Sequence, residues 1–455
     1  MEDFSNTLEM TIDNSIIQYY MKKLLLIISI VMLSFAGRAQ KAWTLEECVD
    51  YAMEHNVTIL QSIISQNSAE YQYKMAKNAW LPTVSANASQ SFGFGQSPSA
   101  NGVYVSDNST STSFGISLGM PLFNGLSLYN QMKSSSLEMN ASKKDLEAAK
   151  YDLKLLIMSY YMQVVYNKEL KAIAEKQLTL TQEQHGKTQQ LYELGKVPQS
   201  DVYESAAQVA TAKSSLVQAE NNLMLSILDI VQALELDDMD GFDVVEPQEF
   251  NPVESAMLPS QESTYEFALN HQPKMEAANM RLEKAEYDVK SSKSSWYPSL
   301  SLFAGYSNGY YKYFSNDYNL PFDEQISNNG RTSFGVSLNV PIFNAMQTKY
   351  RVEQTKLSIE NQELAINTAK KQLKKEIQQA YYSALAAEQK YKAAEETYQS
   401  AQIAYDFSRE SFNAGRATLL ELNESKNRLF QSESEMLQAK YEYLYRVEVL
   451  NFYNQ

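Results

Sequence analysis

A single cysteine, Cys48, stands in 455 residues, so no intrachain disulfide can form. Its expected role is that of a small apolar residue buried on a helix. Glycine and proline are scarce for the length, at 15 and 11, while Ala, Glu, Lys, Gln, Leu and Ser fill long uninterrupted tracts. That balance points to extended helices rather than a compact α/β enzyme. Basic residues are outnumbered, 39 Lys and Arg against 54 Asp and Glu, for a formal charge of -15. Nucleic acid is thereby excluded as a partner, because neutralising phosphates takes clustered Lys and Arg. The three histidines, His55, His185 and His271, form no cluster in sequence, and no P-loop, CxxC or HExxH occurs. No catalytic constellation, metal or cofactor is expected, and energy for any transport must come from partners.

Long apolar runs are also missing. The run LLLIISIVMLSFA (24–36) is too short to span a bilayer as a helix, and no stop-transfer pattern follows. It follows Met21-Lys22-Lys23 and ends in the small residues Gly37 and Ala39. A basic start, a short apolar core and a small-x-small end make a secretory signal peptide over 21–39. Residues 1–20 are acidic and would spoil that signal, so translation is expected to start at Met21 and the mature chain near Gln40. No cysteine stands at the cleavage site, so no lipid anchor is expected.

What the chain has in abundance is itself. SFGISLGMPLFNG (113–125) returns as SFGVSLNVPIFNA (333–345). AMEHN (52–56) resembles ALNHQ (268–272), and Trp80-Leu81-Pro82 resembles Trp296-Tyr297-Pro298. LYELGKVPQSDVYES (191–205) parallels SFNAGRATLLELNES (411–425). The mature chain thus reads as one unit duplicated: repeat 1 over 40–236, an Asp/Pro/Glu-rich linker over 237–262, and repeat 2 over 263–455. His55 and His271 are repeat equivalents beside a helix break, which suits a structural role.

Within each repeat the periodicity changes in a fixed order. A short helix (about 44–54; 263–271) leads into a longer one (57–79; 273–295), ended by Pro82 or Pro298. Two alternating segments follow, then a very long helical tract (125–193; 345–413) that would extend roughly 100 Å. It breaks at Gly195 or Gly415, and a last helix runs to about 235 or 453. Val202, Val209, Leu216, Leu223 and Ile230 are spaced by sevens, as are Leu422, Leu429, Met436, Tyr443 and Leu450. A seven-residue stripe implies left-handed supercoiling against neighbours. The other near-seven positions are often Ala, Ser, Lys or Glu, so the packing is not that of a dry two-stranded zipper.

The alternating segments read as strands, about 83–95 and 111–121 in the first repeat and 299–311 and 331–341 in the second. Phe114, Ile116, Leu118 and Met120 share one face, with Gly115, Ser117 and Gly119 on the other. A sandwich strand shows the same alternation, with its apolar face inside. In a transmembrane barrel the apolar face is outside. Charge favours the barrel: between Asn78 and Met132 only Asp107 carries charge, and it sits in the loop between strands. Phe92, Phe94, Tyr104, Tyr306, Tyr310, Tyr311, Tyr313 and Phe314 cluster at the loops, as in an interfacial girdle. Four strands cannot close a barrel in lipid, where an open edge is untenable. Copies must share one, with eight strands in a dimer or twelve in a trimer.

These features together resemble the TolC-type outer membrane efflux proteins over almost the whole mature chain. The duplicated unit, the Trp-x-Pro lead-in to a hairpin, the Pro-Leu/Ile-Phe-Asn exit (121–124; 341–344) and the glycine turns carry the likeness. The resemblance implies a mainly α fold with a membrane β-barrel portion. A homotrimer would share one twelve-stranded barrel in outer membrane lipid and continue as a coiled-coil helical tube across the periplasm. It also implies a passive duct that docks a periplasmic adaptor and an inner-membrane pump, of RND or ABC type, in tripartite efflux or type I secretion. Glu421 and Glu424 fall at the family's lumen-facing acidic pair, with Asp201 and Glu204 at the matching places of the first repeat. Glu421 and Glu424 also fit a solvated acidic patch on a charged helix. In relatives the Asp201 position is linked to an arginine two residues past the second glycine and a tyrosine three before it. Here those positions are Ala417 and Phe412, and Arg416 is the neighbouring candidate. Gly195, Lys196 and Val197, with Gly415 and Arg416, are expected at the tunnel turns, and Val197, Leu419 and Leu420 at the adaptor contact. Two other classes fit the residues less well: a trimeric surface coiled-coil stalk or adhesin, and a soluble periplasmic scaffold.

Overall fold

The computed structural model describes residues 42–98, 104–106, 108–245, 258–314 and 319–454. The expected leader, the signal peptide, Asp107 and the middle of the linker lie outside them. The element order is β1 (Ala42–Trp43), α1 (Leu45–His55), α2 (Val57–Asn78), β2 (Thr83–Gly93), β3 (Gln96–Pro98), β4 (Tyr104–Ser106), β5 (Ser109–Asn124), α3 (Ser127–Glu193) and α4 (Gln199–Ala233). Then come β6 (Asp243–Val244), α5 (Gln261–His271), α6 (Pro273–Lys293), β7 (Ser299–Tyr313), α7 (Phe322–Asn328), β8 (Arg331–Asn339), α8 (Gln347–Asn413) and α9 (Leu419–Phe452). Apart from the short pieces, the second half repeats the order of the first.

The chain divides into two compact units. The first takes the residues up to Val57 with Asp152–Leu258 and Tyr381–Leu450. In it, the heptad stripe of α9 is buried at Leu422, Leu429, Tyr443 and Leu450. Leu422 and Leu429 pack with Tyr405 of α8, and Tyr443 packs with Ala387 and Val447. Thr44 and Glu47 form a reciprocal capping box that starts α1. Cys48 is fully buried, and desolvation pushes its thiol up to about 12, an inert group as expected.

β1 and β6 pair in parallel, Ala42 with Asp243 and Trp43 with Val244, so the expected linker contains a short strand. Tyr161 Oη lies 2.5 Å from Val245 O and 3.2 Å from Trp43 O, and Lys168 Nζ donates to Asp243 and to Val244 O. Burial pushes the Tyr161 hydroxyl up to about 12, which keeps it a donor. The partners of this ribbon lie about two hundred residues apart, beyond any local sequence signal.

The second unit takes Thr58–Tyr151, Pro259–Ala380 and the residues from Asn451 on. It holds a four-stranded antiparallel sheet ordered β2-β5-β7-β8. Directly opposed residues share a face, so the register sorts the side chains. Val84, Leu118, Ala304 and Phe334 form one row, and Met120, Leu302 and Val336 another. The opposite face carries Ser85, Ser117, Gly305 and Ser333, with hydroxyl pairs Ser85–Ser117, Ser89–Ser113 and Ser91–Ser111 at 2.6–2.8 Å. The apolar face is bare in the single chain, with Phe334 85% exposed.

The strand limits differ from expectation for a positional reason. β5 is central and stays paired with β7 to Asn124, passing Pro121 by a bulge. β8 is an edge strand and ends at Asn339, before Pro341. The loops also hold a short hairpin, β3–β4, and the helix α7.

The repeated Asn-Gly/Ala exits turn through the left-handed region at Gly125 (φ 63°) and Leu126 (68°), and at Ala345 (52°) and Met346 (63°). Gly125 sits against the Trp-x-Pro corner of the second repeat. A β-carbon there would lie 2.6 Å from Ser294 O and 2.7 Å from Tyr297 Cβ. Ala345, its equivalent, is exposed. Gly125→Ala is therefore expected to cost more than about 1 kcal/mol through both φ and overlap, and Ala345→Gly much less. Thermal unfolding of both variants in detergent checks this, and equal midpoints would refute it.

Candidate functional site

The two hairpin turns close with the same geometry. After α3, Gly195 takes φ 68°, its N–H donates to Tyr192 O at 2.8 Å, and Lys196 N–H donates to Leu191 O at 2.9 Å. After α8, Gly415 takes φ 71° and the bonds recur, Gly415 to Phe412 O at 2.9 Å and Arg416 to Ser411 O at 2.8 Å. These are paired Schellman closures. Nothing lies within 4 Å of a β-carbon built at either glycine, so only the backbone angle demands glycine there.

The helices leaving the turns start differently. Thr418 caps α9: its Oγ1 accepts from Glu421 N–H at 3.3 Å, and Glu421 Oε2 accepts from Thr418 N–H at 2.9 Å. Glu421 is thus engaged at a helix start, where its charge also meets the positive end of the helix dipole. Glu424, one turn on, is exposed and makes no side-chain bond among the described residues. In α4 the equivalent of Thr418 is Pro198, which offers no side-chain cap. Asp201 is half-buried in the first turn of α4 and accepts from Ser200 Oγ at 3.2 Å. Glu204 is exposed.

The other expected residues separate. Lys196 and Arg416 are exposed, and among the described residues Arg416 makes no ion pair with Asp201. Phe412 packs on the Tyr405, Leu422 and Leu429 cluster, where it serves as an apolar contact. Val197 is half-buried. Leu420 is 59% exposed, but Leu419, expected beside it at the surface, is only 8% exposed. In the single chain Leu420 is therefore the more accessible of the two.

One residue of this region escaped the sequence reading. Lys426 on α9 is 3% exposed, and its Nζ donates to Thr181 Oγ1 of α3 at 3.2 Å. Thr181 in turn donates to Gln177 O at 2.7 Å. Burial pulls the Lys426 pKa down, because no carboxylate offsets the lost hydration. Beside it lies a groove of about 340 Å³, lined by Gln177, Thr181, Ala212, Phe430 and Gln431 among others. His185 Nδ1 lies 2.8 Å from Ser205 Oγ, joining α3 to α4. His55 and His271 donate to Tyr51 O and Phe267 O at 2.9 Å and stack on those same rings, so both are structural.

The lowered pKa of Lys426 fixes a sign. The cost of the buried ammonium is full below its folded pKa and fades as pH rises toward the ordinary lysine value of 10.5. Lys426→Met is expected to stabilise the protein at pH 7 by about 1–4 kcal/mol, with the gain shrinking toward pH 10.5. Unfolding followed by circular dichroism across that range checks it, and no gain at pH 7 counts against it.

Comparison with known proteins places this geometry. Residues 48–234 and 264–453 match the sequence profile of the outer membrane efflux proteins. Outer membrane efflux protein BepC of Brucella suis biovar 1 is 22% identical over 335 residues, 72% of this chain and 67% of BepC. Outer membrane protein TolC of Escherichia coli is 24% identical over 194 residues, 40% of this chain and 38% of TolC. The solved CmeC outer membrane channel of Campylobacter jejuni shares the fold, with a TM-score of 0.75 at 18% identity over 90% of this chain and 85% of CmeC. A two-faced sheet, long helices closed by glycine turns and a profile match across both halves agree: the chain belongs to the outer membrane efflux protein family, whose members are outer membrane channels and not enzymes.

Proposed function

We propose that three copies of the chain form one passive exit duct. Their strands close a shared twelve-stranded barrel in the outer membrane, and their helices lead toward a periplasmic adaptor and an inner-membrane pump. Whether that pump is of RND or ABC type, for efflux or type I secretion, is decided by the partner, since nothing in the duct performs chemistry on a substrate. One observation carries the reading: a sheet with a bare apolar face, a hydroxyl-lined opposite face and two free edges, β2 and β8. Such a sheet suits lipid on one side and a wet lumen on the other only when its edges are paired.

The repeat supports joining copies in a ring. Within one chain α6 of the second repeat is tied to α3 of the first by Ser134–Asp288, Arg281–Asp145 and Lys284–Glu138 contacts. The equivalent contact, α2 of the first repeat on the second repeat's long helix, is left with bare apolar seams. Ile64 and Tyr71 on α2, and Tyr350, Leu357 and Leu364 on α8, are all exposed at spacings of seven. A neighbouring copy supplies the missing half of each seam, in a head-to-tail contact that closes by rotation.

At the tunnel end, Glu424 and the capping Glu421 from each copy would ring the entrance with carboxylates, as cation-selective constrictions do. Asp201 and Arg416 stand beside them as candidates for links between copies. Lys196, Val197 and Leu420 at the turns are the surface assigned to the adaptor. Export is assigned to residues 21–39, so the mature protein should begin near Gln40; mass spectrometry of its N-terminal peptide that found any of residues 1–20 would overturn this.

Single-channel conductance in planar bilayers tests the duct and its ring together. The double variant Glu421→Gln/Glu424→Gln removes both charges while glutamine keeps the capping geometry. Cation-selective steps that lose selectivity in this variant are expected. Steps that keep their selectivity would discard the acidic ring and leave the duct standing. No steps from a folded, inserted oligomer, even with the tip residues substituted, would discard the duct.

A further inference from the structure

The loop between β7 and β8 places a helix on the apolar side of the sheet. β8 begins at Arg331, opposite Ser307, while β7 runs on to Tyr313. Loop amides take up the backbone of that overhang. Gln325 Oε1 accepts from Tyr311 N–H at 2.9 Å, and its Nε2 donates to Tyr311 O at 2.8 Å. Asn319 does the same at Tyr313, at 2.8 and 2.7 Å, and Asn329 donates to Gly309 O at 2.7 Å. Three alternate residues of the strand edge are thus paired by side chains instead of by a strand, and α7 is pinned in place.

The face it occupies follows from parity along β7. Leu302, Ala304, Tyr306, Asn308 and Tyr310 share the apolar face, because their register partners Val336, Leu118 and Ile116 do. Asn308, 5% exposed, donates to Ile326 O at 2.7 Å and to Tyr306 Oη at 3.1 Å. The Tyr310 and Phe322 rings pack with centroids 5.3 Å apart. Leu320 and Phe322 are nonetheless at least half exposed, with the acidic pair Asp323 and Glu324 beside them. A transmembrane strand crosses the hydrocarbon in about 9–11 residues. Counted from Ser299, that places the outer boundary near Gly309, level with the α7 contacts.

We propose that α7 is an interfacial helix on the lipid side of the barrel wall, seated at the outer headgroup boundary. Leu320 and Phe322 continue the apolar strand face into the acyl margin, where aromatic rings are favoured. Asp323 and Glu324 meet water and headgroups. The occupant is lipid because the exposed side chains are contiguous with the face already given to lipid, and a loop meant for water has no use for them. This rests on the reading that the apolar face of the sheet meets the bilayer.

Nitroxides at Phe322→Cys, Val336→Cys and Leu420→Cys, each in the full chain with Cys48→Ala, test it in phosphatidylcholine–phosphatidylglycerol vesicles. Power saturation with oxygen and a nickel chelate reads lipid against water. The expected oxygen-to-nickel accessibility ratio at 322 is severalfold above that at 420 and below that at 336. A ratio at 322 equal to that at 420, with 336 lipid-like, overturns the interfacial helix alone. A label at 322 that is immobile and shielded from both reagents assigns the surface to a neighbouring copy and also overturns it. Water-like accessibility at 336 overturns the lipid reading of the sheet itself.

Discussion

An unpaired strand edge cannot face hydrocarbon, and the rest of this molecule is arranged around that constraint. Each buried, unsatisfied peptide group costs several kcal/mol in lipid. The chain therefore leaves no stretch of β7 without partners: β5 along one edge, β8 along part of the other, and amides of Asn319, Gln325 and Asn329 where β8 ends. What it does not satisfy are the outer edges of β2 and β8. Both are in strands whose apolar side chains are already bare, so the cost of leaving them open rises with insertion. Oligomerisation and membrane insertion are thereby coupled in the proposed assembly.

The helical part answers a different demand. A wide tube of helices must be held by seams that supercoil, yet its packing includes polar layers as well as leucine. The stripe of α9 supplies the apolar contacts at Leu422, Leu429 and Leu450. Between them stand Lys426 on Thr181, and Glu433 3.3 Å from Lys176. Such contacts are poor sources of stability, and the buried Lys426 is a net cost, since desolvation outweighs its bond to a neutral hydroxyl. They tie particular positions together, Lys426 of α9 to Thr181 of α3 and Glu433 to Lys176.

The elements that could be read from the sequence were those with local periodicity. The seven-residue stripe, the glycine closures at 195 and 415 and the alternation of the hairpins each lie within a few residues of themselves. Boundaries followed where a local signal existed, as with Thr44 and Pro298. Features set by distant partners were illegible: the β1–β6 ribbon, the extension of β5 past Pro121, and the burial of Lys426 and Leu419. Lysine at a near-seven position was visible as a mixed seam, but its depth depends on α3, more than two hundred residues away. Glu421 shows the intermediate case. Thr-x-x-Glu is a local capping signature, and the same glutamate belongs to the acidic pair, so one residue type at one position fits both a cap and a lumen-facing charge.

Duplication explains why the two copies have drifted where they have. A junction that falls inside one chain is fixed against its partner by covalent connection and tight packing, as Gly125 is against Ser294 and Tyr297. The equivalent junction in the second copy has no such partner within the chain, and alanine occupies it at φ 52°. The turns diverge in the same sense: one helix starts on a Thr–Glu capping box, the other on Pro198 without a side-chain cap. In the proposed ring of three chains, two kinds of helical hairpin would alternate, although each arose from one unit. The hairpin whose start lacks a reciprocal cap is the one less firmly held at its N-terminal turn, and it carries Asp201 rather than a glutamate committed to capping.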